Sequence, residues 1–169
     1  MTKPVNDIEV SVVRDLLEYR SGDLWWLEQP RPKRPVDLSQ PAGGIDPKGY
    51  RRIYIYGKSY KAHRLIWLHQ YGEWPAHDID HIDGDKLNNR IDNLREATHA
   101  ENQHNTGASR NNTSGYKGVH WFKEKKKWQV RIQSSGKPLH LGYFDSAEAG
   151  HEAYREAAIR LHGEFARVR

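Results

Sequence analysis

Residues 78–105 concentrate side chains that together could carry out metal-assisted hydrolysis. Asp80 and His81 are adjacent, Asn93 stands twelve positions after that histidine, and Asn102 nine positions further on. A carboxylate and an amide oxygen are hard donors suited to a hydrated divalent ion. An imidazole titrates near neutrality, so it can take a proton from an attacking water. Taken singly, Asp, Asn and Gly residues are ordinarily turn formers and histidines are ordinarily solvated. It is the joint spacing that points to a site.

Those groups need elements to hold them. Ile79 and Ile82 mark a strand carrying Asp80 and His81, broken by the turn Asp83-Gly84-Asp85. A second short strand runs from Ile91 through Leu94 to Ala97, and Thr98 with Glu101 three residues later forms a capping box that opens a short helix. Asn102 lies on that helix, facing back across the strands. Upstream, residues 50–60 alternate around Ile53 and Ile55 before Gly57-Lys58, which predicts a β-hairpin with a two-residue turn there. It leads into a helix over 62–71 bearing Leu65, Ile66, Trp67 and Leu68, stopped by Gly72, with Pro75 resetting the chain as extended. Nearer the start, Ile8, Val12, Val13, Leu16 and Leu17 recur at helical spacing over 6–20 until Ser21-Gly22, an amphipathic packing helix with no chemistry. Residues 23–28 read as a strand. The Pro-rich run after it is an exposed loop whose Arg31, Lys33 and Arg34 either contact phosphates or are simply solvated.

Residues 106–114 are polar, aperiodic and contain Gly and Asn, which makes them a linker with one basic side chain, Arg110. Beyond it the composition changes. Three short β-rich runs separated by turn-like segments read as an antiparallel meander. A helix follows with Ser146 as N-cap, and Ala149, Ala153, Tyr154, Ala157, Ala158 and Leu161 form a small-residue stripe that lets it lie close on the sheet. The whole is an α+β chain with domains at 1–105 and 115–169.

The segment 78–105 resembles the ββα-metal site of HNH endonucleases, in the form found in small phage and intron-encoded homing nickases. The resemblance implies His81 as general base, Asp80 and Asn102 as metal ligands, and Asn93 as the asparagine that fixes the loop over the site. Asn102 stands where the wider family has a final histidine, and His104 is near enough in sequence to be an alternative ligand. The hairpin, His63-Arg64 and the Trp67 helix also resemble the region preceding the site in phage nucleases of this group. There Arg64 either reaches the DNA backbone or is purely structural. Residues 115–169 resemble the AP2/ERF DNA-binding domain through Gly118-Val119, the strand over 128–132, the run at 141–144 and the helix from Ala147. In that family the sheet face opposite the helix enters the major groove. With Trp128, Val130 and Ile132 toward the helix, Gln129, Arg131 and Gln133 face DNA, because neighbours on a strand point opposite ways. Lys117, His120 and His140 join them from the flanking strands. His120, Phe122 and His140 stand where plant members carry Arg and Trp, so the target sequence does not carry over, and a protein-binding module stays open as a second reading.

Whole-chain composition is consistent with these expectations. The 27 Lys+Arg against 22 Asp+Glu give a net charge of +5, which suits an anionic partner. A mean hydropathy of -0.96 leaves little apolar material for one large core, so small units are expected, with six Trp and nine Tyr supplying buried area. Zero Cys excludes disulfides and Cys-ligated zinc. No apolar run approaches the roughly 18 residues needed to span a bilayer, and the N-terminus lacks a secretory apolar segment, so an intracellular protein is expected. The combined expectation is a site-specific, homing-type DNA endonuclease using one Mg²⁺ or Mn²⁺ and no small-molecule cofactor. It would act on double-stranded DNA as a nicking monomer or a homodimer. Two alternatives are a sequence-specific DNA-binding regulator whose HNH fold no longer cuts, and a low-specificity packaging or restriction nuclease.

Overall fold

In the computed structural model the chain is described for residues 7–29, 35–109, 111–134 and 136–167. Arg31, Lys33, Arg34 and Arg110, the basic side chains of the loop and linker, lie outside the described residues. The chain divides into two compact units, Met1–Ala97 and Thr98–Arg169.

The first unit begins with α1 (Val10–Leu16), which is shorter than the helix expected over 6–20. Leu17 ends it and begins β1 (Leu17–Arg20), which pairs antiparallel with β2 (Asp23–Trp26). The reason is the turn between them. Ser21 (φ 49°) and Gly22 (φ 94°) both take the left-handed conformation that closes a tight hairpin, and the apolar Leu17 satisfies a strand period as well as a helical one. A second sheet has the order β3 (Gly44–Ile45), β4 (Arg51–Ile55), β5 (Lys58–Lys61). Its hairpin turn falls at Tyr56-Gly57 (φ 48° and 80°), one residue earlier than the expected Gly57-Lys58. That register buries Ile53, Ile55 and Tyr60 and leaves Tyr54 and Tyr56 exposed.

The helix α2 (Ala62–Tyr71) follows directly and stops at Gly72, whose φ of 82° few residues but glycine tolerate and whose N–H bonds Leu68 O. Its Leu65 and Ile66 are fully buried with Val13, Leu17, Leu24 and Ile53, each such side chain contributing about 1.5–3 kcal/mol by burial. Against this core lies the antiparallel pair β6 (Asp78–His81) and β7 (Leu94–Ala97). The second strand starts at Leu94 because Ile91–Asn93 form a single 3-10 turn.

The second unit opens with α3 (His99–His104). Thr98 Oγ1 accepts from Glu101 N (3.3 Å) and the Glu101 carboxylate accepts from Thr98 N (2.8 Å), closing the capping box. Its sheet has the order β10 (Lys137–Phe144), β9 (Lys127–Ser134), β8 (Val119–Phe122), antiparallel throughout, with an irregularity between His140 and Gly142. Helix α4 (Ala147–His162) is N-capped by Ser146, which accepts from Ala149 N at 3.1 Å.

The stripe that α4 buries is Ala147, Gly150, Tyr154, Ala157 and Ala158, against Val119, Val130 and Ile132. Ala149 and Leu161, expected in that stripe, are exposed, because the helix is rotated so that Gly150 faces the sheet. A Cβ at Gly150 would come within 2.9 Å of Val130, so it is the missing side chain that allows the close approach.

Candidate active site

Strand β6 does not alternate: Ile79, Asp80 and His81 are all buried. The His81 ring meets His63 of α2 edge-on at 5.1 Å between centroids, and Tyr50 lies at 6.1 Å from His81 and 5.4 Å from His63. His81 Nε2 lies 3.0 Å from Oδ1 of Asn89, a side chain only 1% exposed. The Asn89 amide nitrogen is turned to Leu87 O (3.4 Å), so its oxygen faces the ring. A carbonyl oxygen only accepts, so Nε2 donates, and the neutral ring presents Nδ1 as its acceptor. Burial pushes His81 below its ordinary value, against the bond to Asn89 and the charges of Asp80, Asp83 and Asp85, which act the other way. The ring is therefore neutral at pH 7, as a proton acceptor must be. Burial drives His63 well below 6.5, reinforced by His81, Lys61 and Arg64.

Asp80 sits opposite Arg95 in the β6–β7 register. Its Oδ2 accepts from Arg95 Nε (3.0 Å) and Nη2 (2.8 Å). The loop joining the two strands is held by Asn93. The Asn93 side chain accepts from Asp83 N (3.1 Å) and donates to Asp83 Oδ1 (3.0 Å) and Asn88 O (2.7 Å), while the Asn93 backbone carbonyl accepts from Ile82 N (2.9 Å). Asp83 in turn accepts from Asp85 N and Asn88 Nδ2, and Asp85 from Leu87 N. Asp80, His81 and Asn93 thus share one strand pair and its loop. Asn102 is on α3 of the second unit, half-buried, its N–H bonded to Thr98 O. The ring of His104, the alternative ligand, is stacked on His162 at 3.7 Å.

The side chains expected to meet DNA divide into two groups. Arg64 is buried and donates to His77 O (3.0 Å) and Pro75 O (3.3 Å), bracing the chain before β6. The Lys117 ammonium donates to His104 O (2.6 Å) and Gln103 O (3.4 Å), closing the end of α3, and burial, with Arg167 nearby, lowers its pKa to about 8. Gln129 does not face solvent: it is 4% exposed, accepts from His120 Nε2 (2.8 Å) and donates to Tyr143 Oη (3.2 Å). Arg131, Gln133, His120 and His140 are exposed.

Asn89, Arg95, His63 and Tyr50 escaped the sequence reading as members of the site. Asn89 looks like any turn asparagine, and Arg95 meets Asp80 only once the strand register is known.

The HNH endonuclease pattern matches residues 60–104, from the end of β5 through α2 and the β6–β7 pair to α3. Protein 3.8 of Escherichia phage T7 is 38% identical over 123 residues, covering 72% of this chain and 98% of that protein. The uncharacterized HNH endonuclease L560 of Acanthamoeba polyphaga mimivirus is 34% identical over 120 residues, 70% of this chain and 61% of that protein. The chain thus belongs to the same family as protein 3.8 and carries an HNH endonuclease domain at 60–104. Such a domain supports a nuclease acting on DNA, of a kind that generally depends on a divalent metal. A shorter likeness, 39% over 54 residues, is to APETALA2-like protein 2 of Oryza sativa subsp. indica, covering 32% of this chain and 12% of that protein. No solved structure matches the chain. Among the described residues no helix is long and apolar enough to cross a membrane.

Proposed function

We propose that the chain is a site-specific DNA endonuclease of the homing kind, a nickase as a monomer, in which His81 is the general base. The observation that carries this reading is the held imidazole: Asn89 Oδ1 accepts a hydrogen bond from His81 Nε2–H, and burial keeps the ring neutral at physiological pH. Nδ1 then removes a proton from the water that attacks the phosphorus in line, and Asn93 keeps the neighbouring loop in one conformation while it does so.

The family resemblance assigns Asp80 and Asn102 as the oxygen donors to an ion. One carboxylate and one amide form a small, hard donor set, which fits Mg²⁺ or Mn²⁺ because such ions keep several waters. When bound, the ion supplies positive charge at the scissile phosphate and the leaving 3′ oxygen. Arg95, paired with Asp80, orients that carboxylate within β6.

The second unit is the DNA reader in this proposal. Its three-stranded sheet carries Arg131, Gln133, His120 and His140 exposed, and the short likeness to a plant APETALA2-like protein supports an AP2-like role. A separate reader attached to a cutter raises affinity and fixes register through effective concentration.

One observation favours the non-cutting regulator: the Asp80 carboxylate is already engaged by a guanidinium. Supercoiled plasmid incubated with the full chain separates the two readings. Open circles that form with Mg²⁺, vanish with chelator and vanish in His81→Ala support the endonuclease. Binding without any nicking in Mg²⁺ or Mn²⁺ supports the regulator.

A further inference from the structure

Several cations of the first unit are matched by acids. Arg51 pairs with Asp23, Arg52 with Asp46, Lys58 with Asp7, Arg90 with Asp92 and Arg95 with Asp80. Among the described residues Lys61 and Lys86 have no carboxylate within ion-pair distance, and what sets them apart is that both ammoniums converge on one ring. Lys61 Nζ lies 4.4 Å and Lys86 Nζ 4.8 Å from the centroid of Tyr50, the ring that also packs near His81.

Their positions are fixed from three directions. Lys61 ends β5 and immediately precedes α2. Lys86 belongs to the loop closed by Asn93 and donates to Lys48 O at 2.9 Å. Tyr50 leads into β4, its N–H bonded to Asp46 Oδ1 (3.0 Å) and its carbonyl accepting from Asp46 N (2.8 Å). Lys61 is half-buried, and removal from water destabilises its charged form, with Asp78 and Asp46 acting in the opposite direction from farther away.

The aromatic contacts hold the two ammoniums in place but do not neutralise them. Two like charges gathered on one ring, one of them partly desolvated, are stabilised by an anion. The anion that a nuclease brings next to its general base is a backbone phosphate.

We propose that Lys61 and Lys86, spaced by Tyr50, form a clamp for one phosphodiester of the DNA strand beside His81. This deepens the nuclease reading and rests on it for the identity of the anion. The clamp carries no base readout, so it holds any sequence and sets where the strand passes the base, leaving site choice to other residues.

The test uses the full chain, with wild type, Lys61→Gln, Lys86→Gln, the double Gln variant and the double Arg variant. Binding to a fluorescent duplex is titrated in chelator across salt concentrations, and plasmid nicking is measured in Mg²⁺. Neutralising one phosphate contributes about 0.9 to the slope of log affinity against log salt. We expect the double Gln variant to lose about that much slope, to bind several-fold more weakly at low salt, and to show a raised KM for nicking. The double Arg variant should keep the wild-type slope, which a loss of folding or packing would not predict.

A double Gln variant with the wild-type slope and an unchanged melting temperature overturns the clamp. A wild-type chain that never nicks, but whose slope drops in the double Gln variant, overturns the nuclease reading and supports the clamp.

Discussion

The loop between β6 and β7 and the outer face of the β8–β10 sheet are both polar, yet they treat their polar groups in opposite ways. In the loop, Asp83, Asp85, Asn88, Asn89 and Asn93 bond one another or the backbone, and Asn89 is sealed from solvent. On the sheet, one row is tied together, His120 to Gln129 to Tyr143, while Arg131, Gln133 and His140 remain exposed. The contrast follows from the work each region is proposed to do. A group that moves a proton must be held within a fraction of an ångström, so its neighbours must be rigid. A group that meets a base edge must be reachable, and it can adjust on contact.

The sharpest way to break this comparison is to remove the proposed base. His81→Ala should lower nicking roughly 10²-fold or more while duplex binding stays nearly unchanged. Plasmid nicking alongside fluorescence anisotropy checks it, and cleavage at the wild-type rate would sink the mechanism.

Gly118→Ala attacks the other region. Gly118 has φ +74°, and an added Cβ would come within 2.4 Å of Arg131 O and of the Tyr154 ring. A loss of about 3 kcal/mol is expected in the second unit. Hydrogen exchange should show β8–β10 opening earlier while β6–β7 keeps its protection; equal loosening of both would show that the units do not fold independently.

Asn89→Leu tests the rigidity of the first region directly. It strands a buried donor, Nε2–H of His81, at a cost of about 1–3 kcal/mol, and nicking should fall about tenfold. A slowly exchanging imidazole proton on Nε2 is expected by ¹⁵N NMR in the wild type, and it should disappear in Asn89→Leu and persist in Asn89→Asp. A proton found on Nδ1 instead would reverse the assignment of the accepting atom.

Arg131→Ala tests the adaptable region. If Arg131 makes a bidentate contact to guanine, the variant loses about 1–3 kcal/mol of discrimination at one base position. A cleavage map on long DNA reads this as a relaxed site, and an unaltered map would remove Arg131 from the reading face.

The mildest effect is the pH dependence. His63 and His81 both lie below their ordinary value in the folded chain because of burial. The unfolded chain therefore binds more protons below about pH 6.5. Their contribution to stability is complete above that value and is lost as pH falls through the folded-state pKa values. The nicking rate should follow the same direction, level near neutrality and falling in acid. In His63→Gln the acid loss of melting temperature should shrink, and an undiminished loss would show that other groups cause it.

The features legible in the sequence are those written in covalent spacing. Thr98 and Glu101 are three residues apart, so they can cap a helix whatever surrounds them, and Gly72 and Ser146 end and begin helices by their own backbone and side-chain chemistry. The adjacency of Asp80 and His81 and the distances to Asn93 and Asn102 are likewise properties of the chain alone. Where one apolar residue fits two periods the local signal divides, as at Leu17, and tertiary pairing with β2 decided for strand.

Folding settled what depends on partners far apart in the chain. Strand register puts Arg95 on Asp80, and a slip of one residue would send Arg95 to the other face. The return of the loop brings Asn89 to His81, and the packing of the second unit turns Lys117 onto the carbonyls of α3 and buries Gln129 under its neighbours. None of these pairings has a local sequence signal, because each exists only after the backbone between the partners has been given its path.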